Sequence, residues 1–126
     1  MQGLVVIDDE PDIQWLVKTL FSIDPRFKAA VVAESAEAGI EMSGRMSGSG
    51  VIVLDHALSG PLTGFEVVRR LKAAAPHMKI ILFSGHADLR PLVEEEPAVD
   101  AFVLKLDASR LLPVAQRLTG LAALYR

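Results

Sequence analysis

The sequence predicts an α/β fold: a doubly wound (βα)5 sandwich, with a five-stranded parallel sheet and helices on both faces. Two observations carry this. Short runs rich in β-branched residues alternate along the chain with segments of helical spacing. The strand-like runs are apolar at nearly every position, as strands covered on both faces are. A third feature gives the fold a direction, because each of several runs stops at a polar or charged residue, Asp8, Asp55, Ser84 and Lys105 among them.

The elements run in order. Leu4–Ile7 is the first strand. Pro11 to Phe21 has helical spacing, with Ile13, Leu16, Val17, Leu20 and Phe21 on one stripe. Asp9 or Glu10 near its start suits the positive end of a helix. Asp24-Pro25 breaks it. Ala29–Ala33 is the second strand. Ala36 to Met42 is a short helix with Ser35 as its N-cap. Ser43–Gly50 (SGRMSGSG) is expected to be a flexible loop. Val51–Leu54 is the third strand and ends at Asp55. Ser59–Gly64 is a loop, Phe65 to Ala75 a helix, and Pro76 its stop. Lys79–Phe83 is the fourth strand, ending at Ser84-Gly85. Ala87 to Glu95 is a short helix stopped by Pro97. Ala101–Leu104 is the fifth strand, ending at Lys105. Asp107 or Ser109 would cap a last helix reaching Leu124. Pro113 inside that pattern requires either a kink or a helix that starts near it.

The bulk numbers fit one domain over residues 1–126. The hydrophobic fraction of 51% is enough for a core, and no linker or composition shift divides the chain. Thirteen basic residues against sixteen acidic give a net charge of −3, which argues against a nucleic-acid-binding surface. There is no cysteine, so disulfides and thiolate metal sites are excluded. Met1 leads almost directly into the first strand, with no signal-peptide pattern before it and no run long enough to span a membrane. The expected location is the cytoplasm.

In a parallel sheet all strands end on one side, and ligand sites lie beyond those ends. Asp8, Asp9, Asp55, Ser84 and Lys105 therefore share one rim. An apolar strand driven straight into clustered carboxylates needs a reason. Two such charges about 4 Å apart cost roughly 4 kcal/mol at an effective dielectric of 20. A hard divalent cation between Asp8, Asp9 and Asp55 removes that cost. Mg²⁺ takes oxygen ligands and shares them with phosphate oxygens. The rim thus suggests a Mg²⁺ site with room for a phosphoryl group, with an ammonium from Lys105 and a hydroxyl from Ser84.

These residues resemble the receiver domain of two-component response regulators, a CheY-like family with a flavodoxin-like fold, over the whole chain. "VVIDDEPD" is similar to the acidic pair after the first strand, and "VIVLDHALSGPLTG" to the phosphoacceptor strand and loop. "IILFSGHAD" is similar to the Ser/Thr strand end, and "DAFVLK" to the last strand with its aromatic and its lysine. The resemblance implies that Asp55 takes a phosphoryl group from a phosphohistidine. It implies Mg²⁺ held by Asp9 and Asp55, with Asp8 acting through water and Ala57 offering its carbonyl. Lys105 and Ser84 would bind phosphoryl oxygens, and Ser84 and Phe102 would form the switch. The fourth helix, fifth strand and fifth helix would report the state. Partners would be a sensor histidine kinase or histidine phosphotransferase, docking on the first helix near Ile13 and Trp15, and a downstream target or fused output domain; a homodimer is also compatible. No output domain is expected in this chain, and no membrane contact.

The sequence departs from the family pattern in places. Leu106 follows Lys105 where the family usually has a proline in a cis bond. The loop from Asp55 to Gly64 reads one residue longer than usual and lacks the common Met-Pro. Phe102 stands where many members carry Tyr. These departures leave one competing reading, a degenerate receiver that binds partners without phosphorylation. A hydrolase with an aspartyl nucleophile needs a second Asp two residues after Asp55, where Ala57 stands. A flavin- or nucleotide-binding protein needs a phosphate loop after the first strand, where DDEPD is acidic.

Other polar residues read more simply. His56 follows Asp55 on a strand and is expected to point away from it. The resemblance implies that the position of His86 tunes phosphoryl hydrolysis, while the plain reading is an exposed loop residue, and His77 is expected to be a solvated turn residue. Trp15 falls opposite the apolar stripe of its helix, among Lys18, Thr19 and Ser22, and is expected to be exposed. Glu94–Glu96 is expected to be a solvated charge run.

Overall fold

The computed structural model describes residues 1–57 and 64–124. Its strands are β1 (Gly3–Ile7), β2 (Val31–Ala33), β3 (Gly50–Asp55), β4 (Met78–Ser84) and β5 (Ala101–Leu104). Its helices are α1 (Pro11–Phe21), α2 (Ala36–Arg45), α3 (Gly64–Ala74), α4 (Arg90–Glu94) and α5 (Leu111–Leu118). The strands form one parallel sheet in the order β2-β1-β3-β4-β5. This is the doubly wound, flavodoxin-like arrangement expected.

Alternation along the strands separates two cores. Val5, Ile7, Ile52, Leu54, Ile80 and Leu82 face one way, into a cluster with Val67, Val68 and Leu71 of α3. Leu4, Val6, Val51, Val53, Ile81 and Phe83 face the other, into a cluster with α1 and α5. Successive side chains on a strand point to opposite faces, so apolar residues at every position demand helices on both. Burying a leucine-sized side chain contributes about 2 kcal/mol, and all twelve of these strand residues are at most 2% exposed.

Several boundaries differ from expectation, each for a local reason. α2 runs on to Arg45, through residues expected in a loop. Ser43 is fully buried there, and Arg45 pairs with Glu41 one turn back. This turn lies beside α3, where a Cβ on Gly44 would make an ordinary contact with Ala74 Cβ at 3.6 Å. Ser35 caps α2 as expected, accepting from Ala38 N–H at 3.2 Å. β2 is shorter than expected, because only Val31–Ala33 pair with β1. The segment after β4 is divided into a 3₁₀ turn, Ala87–Leu89, and the short α4, which has Pro91 in its first turn.

The last helix does not reach Leu124. A 3₁₀ segment, Lys105–Arg110, precedes α5, and neither Asp107 nor Ser109 caps it. Pro113 lies in the first turn of α5, where no intrahelical donor is missed. Gly120, at φ +74°, ends the helix. Leu121 N–H donates to Gln116 O at 2.8 Å and Gly120 N–H to Arg117 O at 3.2 Å, which closes the end as a Schellman motif. Glu96 also departs from the expected charge run. It is buried, with Oε1 accepting from Arg69 at 2.7 Å and Oε2 from Ala98 N–H at 3.2 Å. The Ala98 amide, with help from Arg69, lowers its pKa against the opposing effect of burial.

Candidate functional site

The strand register assembles the rim. Ile7 lies beside Leu54, and Asp55 beside Phe83. The residues next in the chain, Asp8 after β1 and Ser84 at the end of β4, therefore flank Asp55. Asp8 and Asp55 are 2% and 3% exposed and Ser84 is 1% exposed, while Asp9 and Glu10 face solvent. One carboxylate oxygen from each of Asp8, Asp9, Glu10 and Asp55 lies within 4.8 Å of all the others.

Lys105 reaches into this cluster from the end of β5. Its Nζ is 3.5 Å from Asp55 Oδ1, 3.7 Å from Asp8 Oδ2 and 3.5 Å from Glu10 Oε1. Burial pulls its pKa down, but the charges of Asp55, Asp8 and Glu10 outweigh that and hold it above the ordinary value. Asp8 shifts as a crowded acid does. Burial, with the nearby charges of Asp55 and Glu10, pushes its carboxyl up to about 6, against the Glu10 amide and Lys105. The structure holds a site in which buried acid is costly and one ammonium partly offsets it.

Backbone donors orient the acids. Glu10 N–H donates to Asp8 Oδ1 at 2.9 Å, and Ala57 N–H to Asp55 Oδ1 at 3.0 Å. Gln14 on α1 donates its amide to Asp8 O at 2.7 Å, tying the helix start to the rim. His86 N–H donates to Ser84 Oγ at 3.1 Å, which leaves the Ser84 hydroxyl hydrogen available. Sequence reasoning gave Glu10 and Gln14 no place at the site. Glu10 is the N-cap residue of α1 and Gln14 lies in its first turns, and their spacing of four residues was the available signal.

The remaining residues take simpler places. His56 turns from the rim and packs edge-on against Phe65, with ring centres 5.6 Å apart. Gly64 makes room for it, since a Cβ there would run into the His56 ring. Phe102 is half-buried beneath the Arg90 guanidinium. Ile13 is half-buried against the α1–α5 core, while Trp15 is 67% exposed. His86 is exposed. His77 is exposed too, but its Nε2 lies 2.9 Å from Met46 O. Leu106 is 96% exposed, and the Lys105–Leu106 bond is trans. The reading of the loop Ser59–Gly64 falls mostly on residues 58–63, which lie outside the described residues.

A five-stranded parallel sheet with buried acids and a lysine at its carboxyl rim defines the CheY-like, flavodoxin-like class. Residues 4–113 match the family model for the response regulator receiver domain, and the chain belongs to that family, which serves two-component signalling. It is 28% identical over 117 residues to the nitrogen assimilation regulatory protein NtrX of Azorhizobium caulinodans. It is 26% identical over 86 residues to the transcriptional regulatory protein ComA of Bacillus subtilis. The matches take in 90% and 68% of this chain but only 25% and 40% of those relatives. Among solved structures, a CheY-like receiver domain protein from Methanospirillum hungatei JF-1 superposes with TM-score 0.79 at 20% identity, covering 95% of this chain and 94% of that one. The isolated REC domain of RcsB from Salmonella enterica gives TM-score 0.80 at 18% identity, covering 97% and 91%.

Proposed function

We propose that Asp55 accepts a phosphoryl group from a phosphohistidine donor and that the domain signals through the resulting change of shape. The observation that carries this is the meeting of buried Asp55, buried Asp8 and Lys105 at one rim, within 3.7 Å of the lysine. An Asp55 carboxylate oxygen attacks phosphorus, the P–N bond of the donor breaks, and an aspartyl phosphate forms. The Ala57 amide holds Oδ1 and so orients the carboxylate. Lys105 and the free hydroxyl hydrogen of Ser84 receive the phosphoryl oxygens. Such a transfer depends mainly on positioning and charge neutralisation.

The donor set fits Mg²⁺. It offers only hard carboxylate oxygens, close enough to share one ion, with no thiolate or imidazole among them. Asp9 and Asp55 would hold the ion, Asp8 would act through water, and the Ala57 carbonyl would complete the protein's share. When bound, Mg²⁺ neutralises charge on the acids and on phosphoryl oxygens.

The further reading follows the family. Ser84 and Phe102 form the switch, and the α4–β5–α5 face reports it. A histidine kinase or phosphotransferase approaches the rim beside Ile13 at the start of α1, with Trp15 further round the helix. A target protein or output domain takes the signal, in the cytoplasm, without nucleic-acid contact by this domain. Self-phosphorylation and dephosphorylation are the only catalysis assigned to it. The degenerate reading is not favoured, because Lys105 reaches the acids although Leu106 follows it.

Intact mass after incubation with acetyl phosphate and Mg²⁺ tests this. The expected result is a metal-dependent gain of one phosphoryl group, absent in Asp55→Asn. No gain, or an equal gain in the variant, overturns the reading.

A further inference from the structure

On the flank of α1 that carries Trp15, a groove of about 430 Å³ opens toward the β2 edge of the sheet. Its walls include Trp15, Lys18, Pro25 and Lys28. Its floor includes Phe21 and Phe27, which are buried and meet edge to face with ring centres 5.0 Å apart. α1 leaves the acidic rim at its first turn and runs back along the sheet. The groove, which reaches the far end of α1 and the segment leading to β2, is therefore removed from Asp55. The strand order also puts it at the opposite edge from β5 and the face beside it.

The chemistry of the groove is specific. Its centre is apolar, and Trp15 stands over it 67% exposed, an unusual cost for a surface aromatic. Lys18 on the helix wall and Lys28 on the facing wall have no ion pair among the described residues. The acid that lines the groove with them, Asp24, is buried and already bonded to Arg26 and Gln116. A chain of net charge −3 thus carries an apolar slot with uncompensated positive charge on both sides.

We propose that this groove docks an acidic amphipathic helix of a partner protein. A helix with an apolar stripe flanked by carboxylates matches a slot with an apolar centre and an ammonium on each wall. The stripe packs on Trp15, and the flanking acids meet Lys18 and Lys28. The surface charges set selectivity and on-rate, while the aromatic anchor supplies most of the affinity. Docking here goes beyond the acceptor reading and does not depend on the state of Asp55.

Trp15 is the single tryptophan of the chain, so its emission reports the groove directly. The probes are two synthetic helical peptides with the same leucine stripe, one flanked by glutamates and one by lysines. The expected result is a saturable blue shift with the acidic peptide, and binding of the basic peptide weaker by about fivefold or more. The preference reverses in Lys18→Glu/Lys28→Glu, whose exposed substitutions leave the circular dichroism spectrum unchanged. No saturable shift, equal binding of both peptides, or a preference untouched by charge reversal overturns the proposal. So does a concentration-dependent dimer in sedimentation that protects Trp15 without peptide, since a second copy would then be the occupant. Acetyl phosphate labelling of Asp55 is read on the same samples and is expected to be equal in the double variant, so failure of the acceptor is told apart from failure of the groove.

Discussion

The guanidinium of Arg90 lies 5.1 Å from the ring centre of Phe102, over its face. This ties the first residue of α4 to the middle of β5 by a cation–π contact, on a ring that is half-buried. The contact exists only while Phe102 keeps its present position, so Arg90 favours one state of the proposed switch.

Arg90→Ala is expected to remove about 0.5–1 kcal/mol of that preference. The population of the alternative Phe102 position then rises about two- to fivefold. Aromatic NMR shifts of Phe102 measure this, and an unchanged ring environment would show that the contact holds nothing.

Asp8 is an acid buried beside Asp55, and among the described residues of the metal-free protein its charge is offset by Lys105 and the Glu10 amide. Asp8→Asn is expected to stabilise the metal-free protein at pH 7 by about 2 kcal/mol. It should also shrink the gain in Tm on adding Mg²⁺. Urea denaturation with EDTA and with Mg²⁺ measures both, and a less stable variant in EDTA would refute the account.

Asp24 answers acid in the opposite sense. Hydrogen bonds from the Arg26 side chain, with the Arg26 amide and Gln116 helping, hold its carboxyl well below the usual range despite burial. A depressed folded-state pKa gives stability that is complete above the unfolded value near 4 and is lost as pH falls toward the folded one. Asp24→Asn is expected to cost about 2 kcal/mol at pH 7 and to flatten the loss of stability between about pH 5 and pH 2. Equal acid slopes in the two proteins would count against it.

Gly3 and Gly50 pair in register at the start of β1 and β3. A Cβ on Gly50 would lie 2.5 Å from Gly3 O and 2.8 Å from Gly3 N, both backbone atoms that cannot swing aside. Gly50→Ala is expected to cost about 3 kcal/mol. Gly48→Ala, which meets nothing within 4 Å but must hold φ +82°, is expected to cost about 1 kcal/mol. A thermal melt of each variant orders the two.

Much of this was legible in the residues. Val51–Leu54 read as a strand covered on both faces, because an apolar residue at every position leaves neither face suited to water. Asp8, Asp55, Ser84 and Lys105 had to share a rim once the strands were parallel, because each stands at the end of one. Pro113 allowed a late helix start, and α5 takes it. Glu96 was not legible, because its partner Arg69 is 27 positions away on α3 and only the fold brings the segment after α4 beside it.

The order of residues along the chain was enough to set the alternation of strands and helices, the faces they bury and the chemistry at the strand ends. These are local matters, governed by the spacing of apolar residues and by the polar residue that closes each run. Packing in three dimensions was needed to settle how far α2 extends, where α5 stops, that Glu10 joins Lys105, and that Trp15 stands over a basic-walled groove. The meeting of Glu10 with Lys105 joins segments far apart in the chain, the end of α5 turns on the positive φ of Gly120, and the groove forms only when the chain folds back from α1 toward β2; the distance between two side chains is not written in the spacing of either.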